Sequence, residues 1–172
     1  ALTSLPHKEQ ADTIWRREGH NLTLVLQSGT DRLGKSVGLP YGSYARFILL
    51  FLQSEAVRSQ SREIELGRSM QVWLGKMGLS IGGNSYRLVK EQAKRISVCR
   101  LTFFGAFEDM DVMRNGGFVE GTISMHGSTE QSSLWNDRVR LDEGFYKALV
   151  RDKLGAVGTS SAISVERCAI GP

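Results

Sequence analysis

Ser43-Tyr44-Ala45-Arg46-Phe47-Ile48-Leu49-Leu50-Phe51-Leu52-Gln53-Ser54-Glu55-Ala56-Val57, then Arg62-Glu63-Ile64-Glu65-Leu66, then Ser69-Met70-Gln71-Val72-Trp73-Leu74-Gly75-Lys76-Met77-Gly78, is the stretch that decides the fold. Ser43 suits an N-cap, and the run Tyr44–Val57 is apolar nearly all the way round, so it predicts a helix buried at the centre of the molecule. Arg62–Leu66 alternates polar and apolar residues with period two, which predicts a short strand. Ser69 caps a second helix whose Met70, Trp73, Leu74 and Met77 fall at i, i+3, i+4 and i+7 on one inward stripe. Gly78 ends it.

Working outward, a short connection through Ile81-Gly82-Gly83 leads to a third helix over about Ser85 to Ser97. Val89, Ala93 and Ile96, with Leu88, form its inner stripe. Arg87, Lys90 and Lys94, spaced i, i+3 and i+7, share a different face. Val98 to Phe104 is strand-like. Asn115-Gly116-Gly117 is a turn signal, and Phe118 to Met125 and Trp135 to Leu141 follow as strands. The order is helix, short strand, helix, tight turn, basic helix and hairpin. The predicted class is α+β: a winged helix-turn-helix with a buried central helix and a β-hairpin wing.

Before this block, Gln10 to Arg17 reads as a short helix, Asn21 to Gln27 as a strand and Ser28 to Gly42 as a loop rich in glycine. After it, Asp142 can cap a helix over Glu143 to Lys153, with Phe145, Ala148 and Leu149 inward. Residues 1–154 are read as one domain and residues 155–172 as a flexible tail. The chain has 172 residues, 22 Lys+Arg against 18 Asp+Glu, and a net charge of +4. A domain of this length buries a core without staples, and its mild basicity is compatible with a polyanionic partner. Cys99 and Cys168 have no CxxC spacing and no nearby histidine, so they read as reduced thiols. Phe47 to Leu52 is far too short to span a membrane, and the setting expected is cytoplasmic.

The basic face of the third helix is the first candidate for a DNA reader, although the residues alone favour a solvated helix face. Major-groove recognition needs donors for guanine edges and phosphates, which Arg87, Lys90, Lys94 and Arg95 supply, while Asn84 and Ser85 at the helix start could reach bases or phosphates. The alternative is a solvated helix face partly neutralised by Glu91. Arg58, Arg62 and Lys76, with Arg68, flank the second helix as candidate phosphate contacts. Gly29-Thr30-Asp31-Arg32-Leu33-Gly34-Lys35-Ser36 matches the phosphate-cradling pattern GxxxxGK[ST] in full. Gly38 and Pro40 follow at once, however, where such a loop must launch a helix, and the match reads as coincidental. Glu108, Asp109 and Asp111 read as an exposed acidic turn. His7, His20 and His126 are scattered. No catalytic constellation, metal set or cofactor site is expected, and the chain is not expected to be an enzyme.

Leu39-Pro40-Tyr41-Gly42-Ser43-Tyr44-Ala45-Arg46-Phe47-Ile48-Leu49-Leu50 resembles the plasmid-encoded RepA replication-initiator family. The likeness continues through Ser54-Glu55-Ala56-Val57-Arg58-Ser59-Gln60-Ser61-Arg62-Glu63-Ile64-Glu65-Leu66-Gly67, through Trp73-Leu74-Gly75-Lys76-Met77-Gly78-Leu79, and into the Gln92 to Arg95 segment. It covers residues 5 to 104 well and 118 to 150 more loosely. The resemblance implies a bacterial protein that binds repeated sites (iterons) in double-stranded plasmid origin DNA, helps open the duplex, and brings in the host initiator and replicative helicase. It also implies a possible homodimer. A domain of this kind could instead serve chiefly for dimerisation, through apolar residues such as Phe118 or Trp135. Such initiators often carry a second winged helix. Here the chain after Lys153 runs into Gly155-Ala156-Val157-Gly158-Thr159-Ser160-Ser161-Ala162, which leaves that domain out and puts strong base reading by this fragment alone in doubt.

Overall fold

Helix α1 (Gly42–Ser59) forms where the apolar run demands burial, and the rest of the chain is arranged around it. The computed structural model describes residues 5–19, 22–107, 110–121 and 138–158. In chain order the elements are β1 (Ile14–Glu18), β2 (Leu22–Gln27), α1, β3 (Glu63–Glu65), α2 (Met70–Lys76), α3 (Gly83–Val98), β4 (Arg100–Phe107), β5 (Met110–Gly117), β6 (Val119–Glu120), β7 (Arg138–Leu141) and α4 (Glu143–Gly158). Two antiparallel sheets result, one ordered β1-β2-β4-β5 and one ordered β3-β7-β6. The class is α+β, as expected. Helix α1, strand β3, helices α2 and α3 and the β6–β7 pair follow one another in the expected order, with β7 paired between β3 and β6. The hairpin β4–β5 is inserted between α3 and β6 and joins β1 and β2 instead.

Ala45, Ile48, Leu49, Leu52 and Ala56 of α1 are fully enclosed, together with Trp73 and Leu74 of α2 and Val89, Ala93 and Ile96 of α3. Leu26, Leu101, Phe118, Leu141 and Phe145 close the core from the sheets and α4. Phe51 meets Trp73 edge-on with centroids 6.4 Å apart, and Phe118 meets Phe145 at 5.3 Å, both geometries that aromatic pairs prefer. Ser69 caps α2 by accepting from the Val72 amide, and Asp142 caps α4 by accepting from the Phe145 amide at 3.0 Å.

Several local expectations are corrected. Burial of α1 is not complete, since Phe47 and Leu50 stay 42% and 48% exposed on a face that no described element covers. The helix also begins at Gly42, one residue before the expected cap Ser43. Gln10–Arg17 is not helical: Ile14–Glu18 pairs as an edge strand along β2, because strand pairing outweighs a weak local pattern. Asn115-Gly116-Gly117 is not a turn but the end of β5, paired with Arg100 to Thr102 of β4. Gly116 serves a close approach instead, since a Cβ there would lie 2.9 Å from Oδ1 of Asp142. Helix α4 runs to Gly158, five residues past its expected end, so the start of the expected tail is helical. Residues 159–172, and the expected strand segments at 122–125 and 135–137, lie outside the described residues.

The placement of α3 depends on two of its own polar side chains. Arg95 is 8% exposed. Its Nη1 donates to the Leu39 carbonyl at 3.1 Å, and its Nη2 donates to Glu9 at 2.6 Å and to Glu91 at 2.8 Å. Its guanidinium also stacks 5.0 Å from the Tyr41 ring centre. One turn earlier, Gln92 accepts from the Tyr41 backbone N–H at 2.9 Å. Together they tie the segment leading into α1 to the flank of α3. Replacing Arg95 with Ala leaves the Leu39 carbonyl without its donor, and should lower unfolding free energy by about 2–3 kcal/mol. Arg95→Lys should recover little, because an ammonium cannot reproduce the planar fork. Urea unfolding checks this, and an unchanged midpoint for Arg95→Ala would overturn it.

Cys99, at the start of the strand that follows α3, is buried, and that burial pushes its thiol up to about 12. At pH 8 it should therefore remain unalkylated in the folded protein and react only after denaturation, as followed by mass spectrometry of the Cys99 peptide. Labelling of the native protein at the rate of free cysteine would contradict the packing described.

Candidate nucleic-acid interface

The proposed reading surface begins with what α3 leaves outside. Its buried stripe of Val89, Gln92, Ala93 and Ile96 faces α1, which turns Asn84, Arg87, Lys90 and Lys94 to solvent. Arg87 donates to the Asn84 side chain at 3.3 Å, which holds both at the first turns of the helix. The carboxylate of Glu91, which could neutralise this face, is paired along the helix with Arg95, with a third of its side chain still exposed. Glu91 is spent on the buried Arg95, so the exposed stripe of α3 presents three cations and one amide with no competing acid of its own. Opposite charges four residues apart pair readily on a helix, and here that pairing removes Glu91 from the basic face.

Two residues grouped with this face are not on it. Ser85 is buried, where its hydroxyl lies 3.2 Å from that of Ser80 and 3.5 Å from the Tyr44 phenol. Arg95 is enclosed in the node described above. Ser85 falls about 100° around the helix from Asn84, enough to change faces, whereas Arg95 returns close to the angle of Asn84 three turns on and is enclosed there by Leu39, Glu9 and Tyr41.

The supporting cations are also sorted by the fold. Arg62 ties β3 to the base of the wing: Nε and Nη2 donate to the Leu141 carbonyl at 3.2 and 3.1 Å, and Nη2 pairs with Glu120. It is a structural clamp with a half-buried side chain. Arg58 and Lys76 converge on Glu55 at the other side of α1. The Arg58 hydrogen bond, at 2.5 Å, holds the Glu55 carboxyl below the usual carboxylate range against the opposing effect of burial, with the charges of Arg58 and Lys76 helping. Lys76 also donates to the Glu65 carbonyl at 3.2 Å. The structure thus gathers Asn84, Arg87, Lys90 and Lys94 on one surface and places Arg58, Arg62 and Lys76 in ion pairs or backbone contacts elsewhere.

The GxxxxGK[ST] match at 29–36 does not form a phosphate cradle. The segment folds as a closed loop with a Thr30–Ser36 bridge, and the Asp31 carboxylate accepts from the Leu33 and Lys35 amides at 2.9 and 3.0 Å. The next helix starts only at Gly42. The amides a P-loop would offer to phosphate are here turned on an internal carboxylate. Among the described residues no group of three or more His, Cys, Asp or Glu is placed to hold a metal, and no helix is long and apolar enough to cross a membrane.

A search of curated protein sequences finds no significant match. Among solved structures, a selenomethionine crystal structure of domains 2 and 3 of RctB is similar with a TM-score of 0.56 at 11% identity, covering 88% of this chain and 57% of that one. Another structure of RctB domains 2–3 gives 0.48 at 10% identity, covering 86% and 56%. The chain therefore spans little more than half the length of these structures, and the likeness concerns the fold. The family described as plasmid encoded RepA protein matches residues 39–157, which takes in α1 to α4 and every residue of the basic face. With well over half of its length matched, the chain belongs to the plasmid-encoded RepA family of replication initiators.

Proposed function

We propose that this domain binds double-stranded plasmid origin DNA at repeated sites, acting as a winged helix-turn-helix that lays α3 in the major groove. The observation that carries the reading is the sorting of charge on α3: Arg87, Lys90 and Lys94 outward with Asn84, and Glu91 drawn inward by Arg95. An arginine near the start of such a helix can pair with both acceptors of a guanine edge, and the lysines suit phosphates as point charges. The role is one of binding rather than catalysis, in the cytoplasm of a plasmid-bearing bacterium. Recruitment of a host initiator and replicative helicase belongs to the same proposal.

The test is fluorescence anisotropy with a duplex carrying the repeats of the plasmid that encodes the chain, against a scrambled duplex, over a salt series. Arg87→Ala should cost about 1–3 kcal/mol on the repeat and relax specificity at one base pair. Lys90→Ala and Lys94→Ala should weaken binding to both duplexes alike, each flattening the salt slope by about 0.9. If all three variants bind both duplexes like the unaltered chain, α3 is not the DNA-facing helix.

Dimerisation is supported by a different surface. Of the residues first considered for it, Phe118 does not serve, being buried against Phe145, and Trp135 lies outside the described residues. On the outer face of the β1-β2-β4-β5 sheet, however, Ile14, Phe104 and Met113 are exposed, and Phe104 and Met113 are direct cross-strand partners. A homodimer formed through this face should dissociate in Phe104→Asp and in Met113→Asp with little loss of fold, as read by sedimentation velocity at several concentrations. An unaltered chain that sediments as a monomer at high micromolar concentration would eliminate this reading.

A further inference from the structure

The loop that imitates a P-loop stands out because it is so firmly built and so exposed. Besides the Asp31 contacts, the Asp31 amide donates to the Lys35 carbonyl at 2.9 Å, Gly34 to the Asp31 carbonyl at 3.0 Å and Val37 to the Gly29 carbonyl at 3.0 Å. At the neck, the Ser28 and Ser36 hydroxyls lie 2.9 Å apart, and Ser28 accepts from the Gly38 amide at 2.9 Å. On this scaffold Arg32, Leu33 and Lys35 project into solvent, Leu33 with 91% of its surface exposed. A rigid turn that spends its one carboxylate on its own amides shows only cations and an apolar tip.

Its position is as informative as its shape. Gly29 packs against the last residue of α3 so tightly that a Cβ would sit 2.1 Å from the Val98 carbonyl oxygen, and Gly38 presses likewise on the Arg95 guanidinium. Val98 is four residues beyond Lys94, so Arg87, Lys90, Lys94 and Val98 follow one another at i, i+3, i+7 and i+11 along a single side of the helix. The loop is thus rooted at the end of the basic stripe and carries its positive charge past the end of α3.

We infer that the Thr30–Ser36 loop is a second DNA contact, a preformed finger that grips the duplex next to the α3 site. Arg32 and Lys35 hold phosphates across the adjoining minor groove, and Leu33 rests at its floor. Basic side chains flanking an exposed apolar tip are the chemistry that minor-groove contact uses, and the internal hydrogen bonds mean little order has to be gained on binding. This rests on α3 facing DNA, and it extends the footprint to base pairs that α3 does not reach.

The experiment compares the full chain with Arg32→Ala/Lys35→Ala, Leu33→Ser and, separately, Arg87→Ala/Lys90→Ala, on the plasmid's own origin repeat with natural flanks and on a scrambled duplex. The finger double variant should bind both duplexes about tenfold more weakly, flatten the salt slope by about 1.8 for two lost phosphate contacts, and lose hydroxyl-radical protection only in the flank. Leu33→Ser should lose the flank protection with the salt slope kept. The thermal midpoints of both should match the unaltered chain, because all three side chains are exposed. Finger variants with unchanged affinity, slope and protection, while Arg87→Ala/Lys90→Ala abolishes binding, overturn the finger and leave the α3 reading standing. The reverse pattern, with binding lost only in the finger variants, removes α3 as the reader and so overturns the finger as a second contact beside it. Scattered loss of protection across the whole site in Arg32→Ala/Lys35→Ala also counts against a localised contact.

Discussion

A guanidinium buried on the flank of α3 organises this molecule. Arg95 satisfies a loop carbonyl, stacks on Tyr41 and pairs with two carboxylates that approach from different parts of the chain. A charge placed this deep is tolerable because two carboxylates and a carbonyl accept from its Nη atoms, which offsets a buried Nε that has no hydrogen-bond partner. The geometry is therefore demanding: it fixes the rotation of α3 about its axis, the path of the segment that enters α1 and the fold of residues 28–40 against the helix end. The aliphatic core holds α3 in place, but apolar contacts are non-directional. The apolar stripe of Val89, Ala93 and Ile96 sets which side of the helix faces in, and the directional contacts of Arg95 and Gln92 hold it in that orientation.

That rotation has an electrostatic consequence. Glu91 would sit among the cations of α3 if it were free, and its commitment to Arg95 leaves the outward stripe basic. The loop at 29–36 shows the same device, since Asp31 turns its charge onto its own backbone amides and leaves Arg32 and Lys35 outward. In both places an acid is engaged by structure, so these two stretches present cations outward. Such a field favours encounter with a polyanion and makes the interaction salt-dependent.

Pattern reading performed unevenly along the chain, for identifiable reasons. Helices α2 and α3 were legible because a single apolar stripe with period 3.6 admits one orientation, and Ser69 and Asp142 were legible as caps because capping is local chemistry. Edge strand β1 was not, since Ile14-Trp15-Arg16-Arg17-Glu18 becomes a strand only through its partner β2. The glycines at 116 and 117 resemble a turn in sequence, but one of them serves a close approach to Asp142 from a distant segment. Burial of Ser85 and Arg95 was equally hidden: polar residues at a helix surface and polar residues in a satisfied internal network carry the same letters.

The sequence by itself determined the class of fold, the succession of helices and strands from α1 to α3, and the presence of Arg87, Lys90 and Lys94 on one helical side, because periodicity and capping act over a few residues. Tertiary structure alone decided which cations stay free. Arg62, Arg95 and Lys76 are drawn to carbonyls and carboxylates brought near them by the fold, and Glu91, within i, i+4 reach of Arg95 on any helix, pairs with a guanidinium that the fold has buried against Leu39, Glu9 and Tyr41. A pair within one helix can be read from a spacing of three or four residues, but a contact between distant segments depends on distance and direction in space, which that spacing does not carry.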